Sequence, residues 1–160
     1  MRYRFLALAL SFAAALPAAA LAAPPGAFLD DAIRGDNGEI EIGRFVQQHG
    51  FTAGVRRFGQ QLAHDHAMAR SQAVAAAQRL NVPVPDGVTP EQAALRDRLA
   101  RLRGRAFDQT FAHAMVDDHR KDIAKFVDQA RSRDPVTSRL ARATLPHLRQ
   151  HLRIAESLAH

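Results

Sequence analysis

The chain contains no cysteine. Disulfides are excluded, and so is a lipid anchor attached through a cysteine after an export signal. Stability must come from packing, or from packing plus a metal. Tryptophan is absent and the single tyrosine is Tyr3, so the aromatic platforms that stack unpaired bases are missing, and nucleic-acid recognition is not expected. Beyond residue 23 no run is apolar enough to span a bilayer. No ten-residue alternation of the kind that builds a membrane β-barrel occurs. Ser71, Ser132, Ser138 and Ser157 lie outside any nucleophile-elbow context, and no glycine-rich phosphate loop appears. No catalytic residue is assigned.

The first 22 residues have the form of a secretory signal. Arg2 and Arg4 make a positive start, Phe5 to Leu16 an apolar run, and Ala20-Leu21-Ala22 a small-x-small cleavage pattern. The expected product is a periplasmic protein with residues 23–26 as an extended lead-in and residues 27–158 as one folded domain. Removing residues 1–22 takes away two arginines and no acid, so the formal charge falls from +6 to +4. The arginines are scattered among acids. Arg96, Arg98, Arg101, Arg103 and Arg105 form a basic cluster, read as a solvated face or as a peripheral contact with an anionic envelope surface.

What the sequence has in quantity is helical periodicity. From Phe107 to Ala130 the apolar positions Phe107, Phe111, Met115, Ile123, Phe126 and Ala130 mark one helix face. Position 119, which completes the series, is His119, with Asp122 on the same side. The first helix, 27 to about 49, has the stripe Phe28, Ala32, Gly35, Glu39, Ile42, Val46. Gly35, Asn37 and Gly38 are poor helix formers, so a kink or local break is expected there. Glu41 faces solvent. The second helix, from an N-cap at Thr52 to about Leu80, has the stripe Val55, Phe58, Leu62, His66, Ala69, Ala73, with Asp65 on its flank. A proline-containing loop follows, then a short helix capped by Thr89 with Pro90 first. The last helix starts at Asp134-Pro135, carries Leu140, Thr144, His147, His151, Ile154 and Leu158, and has Pro146 inside it, where a kink is expected. Four long amphipathic helices with short links within each pair predict an all-α fold. It is an antiparallel four-helix bundle with a short extra helix in the long central connection.

Glu39, His66, His119 and His151 thus interrupt four apolar faces, one on each long helix. Buried ionisable groups are costly unless paired or metal-bound. Imidazole and carboxylate on facing helices are how bundles hold zinc, copper or iron. Asp122 and Asp65 are read as further ligands or as outer partners that orient the imidazoles. His147 and His151 are an i, i+4 pair able to bind an ion alone, although His147 reads better as an edge position. No Glu-x-x-His exists, because Ala63, Val116 and Leu148 stand three residues before the three histidines. A paired-iron oxidase site is therefore disfavoured against a single ion. Counting from the hairpin turns puts Glu39 with His119 at one level and His66 with His151 at another. Two hydrogen-bonded polar layers, without metal, would also account for these residues.

GEIEIG at 38–43, Asp65-His66, FDQTFAHAMVDDHRKD at 107–122 and LPHLRQHL at 145–152 together resemble an exported bacterial family of unknown function. Its members have a ferritin-like helical bundle and are often labelled "predicted outer membrane protein". The resemblance covers essentially the whole chain after the leader and implies a ferritin-like fold and an envelope location. The recurring Glu, His, His and His of that family fall on Glu39, His66, His119 and His151. It implies no reaction. The readings that follow are an envelope protein binding a metal ion without turnover, a structural or interaction module of the periplasm, and, least favoured, a metal-dependent oxidoreductase.

Overall fold

The computed structural model describes residues 22–160. The expected leader therefore lies outside the described residues apart from Ala22. Five helices and no strand occur among the described residues: α1 (Pro25–His49), α2 (Ala53–Arg79), α3 (Pro90–Ala100), α4 (Gly104–Ala130) and α5 (Pro135–Leu158). The lead-in is shorter than expected, since Pro25 and Gly26 already belong to α1. Pro25 suits a first helical turn, where its missing N–H is no loss.

The three side-chain caps stand where the sequence puts them. Thr52 accepts from the Val55 N–H, Thr89 makes a reciprocal capping box with Gln92, and Asp134 accepts from the Thr137 N–H. The expected break in α1 does not occur. Gly38 is the seat of the Gln92 side chain, which would collide with any Cβ there. Asn37 donates to the Gly87 carbonyl and accepts from Arg70. These weak helix formers serve as docking points for α3 and its loop, and tertiary contacts hold the helix through them. Likewise α5 runs through Pro146 without interruption.

α1 and α2 run against each other, with Asp36 meeting His66 and Gly43 meeting Gly59. α4 and α5 do the same, through Gln129–Thr137 and His119–His151. Phe28–Phe126 and Phe45–Phe107 join α1 to α4, while Asp65–His151 joins α2 to α5. The result is a helical bundle whose apolar core falls into two parts. One holds Phe28, Leu29, Ile33, Ala73, Ala77, Phe126, Leu140 and Leu148. The other holds Ile42, Val46, Phe58, Leu62, Phe107, Phe111, Met115 and Ala155. On every long helix ionisable core residues lie between these two sets: Asp36 and Glu39, His66, His119, His151. Asp108, at the start of α4, is the buried carboxylate outside that level.

Asp108 ties the α1–α2 turn to α4. Its carboxylate accepts from the backbone N–H of Phe51 at 2.8 Å, from that of Thr52 at 2.9 Å and from Thr52 Oγ1 at 2.8 Å. Asp108 is buried. Asp108→Ala leaves two backbone donors short of a charged acceptor, which costs about 2–3 kcal/mol. Urea denaturation should read that loss, and a change below about 1 kcal/mol would refute this role for Asp108.

Candidate metal centre

Three imidazoles meet between the two apolar clusters. His66, His119 and His151 have exposures of 5%, 1% and 1%. Their ring centroids are 5.3 Å (His66–His151), 5.3 Å (His119–His151) and 5.9 Å (His66–His119) apart. One nitrogen from each ring lies within 4.8 Å of the other two. The two-level arrangement expected from the turns is therefore replaced by a single histidine layer.

Each ring is oriented by an acceptor outside that layer. His66 Nδ1 donates to Asp36 Oδ1 at 2.8 Å. His119 Nδ1 donates to the Met115 carbonyl at 3.0 Å. His151 Nε2 donates to Asp65 Oδ2 at 2.8 Å. A carbonyl or carboxylate oxygen only accepts, so these contacts set the tautomers. The lone pairs are left on His66 Nε2, His119 Nε2 and His151 Nδ1. His66 Nε2 is buried without a protein partner. His119 Nε2 and His151 Nδ1 face each other at 3.3 Å, with no proton to place between them while both rings are neutral.

His119 and His151 are held neutral. Burial pushes His119 down to about 3, helped by the charges that His66 and His151 would carry. Burial also lowers His151, to about 4, and the Asp65 hydrogen bond offsets only part of this. Burial alone would raise Asp65, but hydrogen bonds from His151 and His64 outweigh it and hold the carboxyl below its ordinary value. Burial raises Asp36 despite its bond to His66.

Glu39 adjoins this layer without joining it. One oxygen of Glu39, one of Asp118 and a His119 nitrogen lie within 4.8 Å of one another. Glu39 is 1% exposed and neither of its oxygens has a hydrogen-bond partner. Burial, then the charges of Asp118, Asp122 and Asp36, push its carboxyl well above the usual range. Asp122, expected as a further ligand or an outer partner, stands outside both groups. It is half-buried beside Lys125, whose Nζ is 3.6 Å away. Burial and the Asp118 charge lift it to about 7. Asp65 takes the outer, orienting role. His147 is exposed and stays at the edge, lining a cavity of about 80 Å3 between α2 and α5 together with Asp65, His66, Met68, Gln72 and His151. His49, His64, His113 and His160 are exposed, as expected.

These shifts oppose one another in pH. His119 and His151 have folded values below their unfolded value of about 6.5. They withdraw stability as pH falls from about 6.5 towards 4. Glu39 and Asp122 have raised folded values. They bind protons in the folded state first and add stability as pH falls through the same range. Glu39→Gln removes one compensating proton, so metal-free stability of the variant should fall more steeply, by about 1.4 kcal/mol per pH unit, between about pH 6.5 and 4.5. Denaturation midpoints running parallel in variant and wild type would contradict the assignment.

The reading from the sequence missed Asp36 and Asp118. Asp36 lies at i, i+3 from Glu39 and Asp118 is the neighbour of His119. Each is a step off the centre of its stripe, and only the spacing of Asp36 was a usable signal.

A solved structure described as a "DUF305 fragment from Deinococcus radiodurans" is similar over 87% of this chain and 97% of its own, with a TM-score of 0.74 and 19% identity. At that identity the likeness concerns the fold. A search of curated proteins returned no match. Residues 10–158 match the family described as Domain of unknown function (DUF4142), which spans both halves of the core and every ionisable residue of the histidine layer, and the chain belongs to that family.

Proposed function

We propose that the protein is an exported metal-binding protein of the cell envelope, in which His66, His119 and His151 hold one transition-metal ion at the middle of a ferritin-like, antiparallel four-helix bundle. The observation that carries this reading is the 3.3 Å approach of His119 Nε2 and His151 Nδ1, whose opposite nitrogens already donate elsewhere. Two lone pairs at that distance repel unless a cation lies between them. A tetrahedral ion with metal–nitrogen bonds of roughly 2.0–2.1 Å holds its nitrogens about 3.3–3.4 Å apart. The outer acceptors Asp36, Met115 O and Asp65 supply the ring orientation that metal-bound histidines require. Three imidazoles without thiolate suit zinc, copper or iron. Of these, zinc and copper need no bridging carboxylates, and the Glu-x-x-His pairs of paired-iron bundles are missing. The reading is one of binding rather than turnover. Export rests on the leader, and peripheral contact through Arg96 to Arg105 would be made by a face distant in sequence from the histidines.

The test is metal content after equilibrium dialysis of the purified protein against zinc and copper(II), each alone. One equivalent per chain is expected. A variant lacking the exposed His113 and His160 should bind as the wild type does. No bound metal under these conditions would leave the histidine layer as structural polar contacts and end the reading.

A further inference from the structure

Glu39 remains unexplained by the three-imidazole centre. A carboxyl group with 1% exposure and two unpartnered oxygens is among the costliest things a helix core can hold. It points at a second carboxylate, Asp118, whose Oδ2 is also buried and unpartnered. Two carboxylates this close need a cation or a shared proton between them.

The surroundings favour a cation. Glu39 and Asp118 line a groove of about 200 Å3 that also includes Glu91, Gln92, Asp117 and Lys121. Glu91, Asp117 and Lys121 are exposed at its rim, so the groove joins the buried carboxylate to solvent through a mouth with two further acids. Lys121 bonds neither Glu39 oxygen. The Gln92 side chain lies over Gly38 and donates to the Gly35 carbonyl at 2.9 Å. α3 is thereby fixed across α1 beside the groove, and its capping box holds Gln92 in that pose. This groove is distinct from the α2–α5 cavity on the His66 and His151 side.

We propose that Glu39 and Asp118 form a second cation position next to the histidine layer, reached from the α3 side and suited to a hard divalent ion such as manganese(II). Oxygen donors select such ions, whereas the imidazoles select zinc or copper. The only lone pair of His119 belongs to the histidine layer, so the second position draws on carboxylate oxygens and on solvent from the groove. It goes beyond the three-imidazole reading and does not depend on it.

The experiment uses the purified full chain, loaded first with one equivalent of zinc and then titrated with manganese(II), with free manganese read from its paramagnetic resonance signal and zinc from elemental analysis. One further equivalent of manganese should bind. Glu39→Gln and Asp118→Asn should each weaken manganese at least tenfold and leave the zinc content unchanged. Both substitutions keep side-chain size, and circular dichroism reports whether each variant folds. Asp118 is half-buried, so Asp118→Asn decides the matter if Glu39→Gln does not fold. Absence of manganese binding, or binding unaltered in both variants, would show that the pair shares a proton and overturn the proposal. Loss of zinc together with manganese would place Glu39 in the histidine centre and overturn it too. A chain that takes manganese but no zinc would sink the three-imidazole reading and leave this one standing.

Discussion

Replacing His66, His119 or His151 by alanine, one at a time, is expected to weaken binding of zinc or copper(II) by at least about 100-fold. The scale follows from the outer partners. Losing a group that only orients a metal-bound histidine typically costs 10–100-fold in affinity, and losing the ligand itself costs more. Asp36→Ala and Asp65→Ala should therefore fall inside that smaller range, because each frees one ring to rotate and to change tautomer. Asp122→Asn should change affinity little, since Asp122 faces Lys125. Thermal unfolding offers an independent reading. A ligand at 100 times its dissociation constant stabilises the folded state by about 2.7 kcal/mol. That increment should be present in the wild type and fall to about 0.4 kcal/mol or less in each histidine variant at the same metal concentration. If the layer were structural, the variants would lose stability equally with and without metal, and that pattern would refute the metal reading.

Local features were the most legible part of the sequence. Thr52, Thr89 and Asp134 cap their helices because capping depends on a few adjacent residues. The inward direction of Glu39, His66, His119 and His151 followed from a period of 3.6 alone. The level of those residues along the bundle did not follow. Counting from the turns fixes register within the α1–α2 and α4–α5 hairpins but says nothing of how the hairpins meet. Glu39 does adjoin His119, as counted. His119 also meets His66 and His151, because the imidazoles reach across an offset of about one helical turn. The Met115 carbonyl was invisible for a different reason, since a backbone acceptor leaves no mark in residue type. Gly38 and Asn37 misled because their helix propensity was weighed without the α3 contacts that use them.

The second large effect concerns the crossing of α1 and α2. A Cβ on Gly43 would stand 2.6 Å from the Gly59 carbonyl oxygen, 2.8 Å from the Ala63 nitrogen and 3.2 Å from the Ala63 Cα. A Cβ on Gly59 would stand 2.7 Å from the Gly43 oxygen and 2.8 Å from the Gln47 nitrogen. These neighbours are backbone atoms, which no rotamer change can move aside, so the helices must separate. Gly43→Ala is expected to cost about 2–3 kcal/mol, although alanine in an open helix site gains roughly 0.5–1 kcal/mol over glycine. Gly43→Val should cost more. Gly35 is the internal control: nothing stands within 4 Å of its Cβ position, so Gly35→Ala should stabilise by that smaller amount. The crossing also reaches the histidine layer. Asp36 lies seven residues from Gly43 on α1, and His66 lies seven from Gly59 on α2, about two turns away on both helices. Parting the helices at the glycines strains the 2.8 Å Asp36–His66 bond. Gly43→Ala should thus weaken metal binding as well as stability, with the affinity loss approaching that of Asp36→Ala. Urea denaturation of the metal-free protein and zinc titration of the same variant measure the two effects. A Gly43→Ala protein as stable as wild type would show that the close crossing does not set the spacing of α1 and α2.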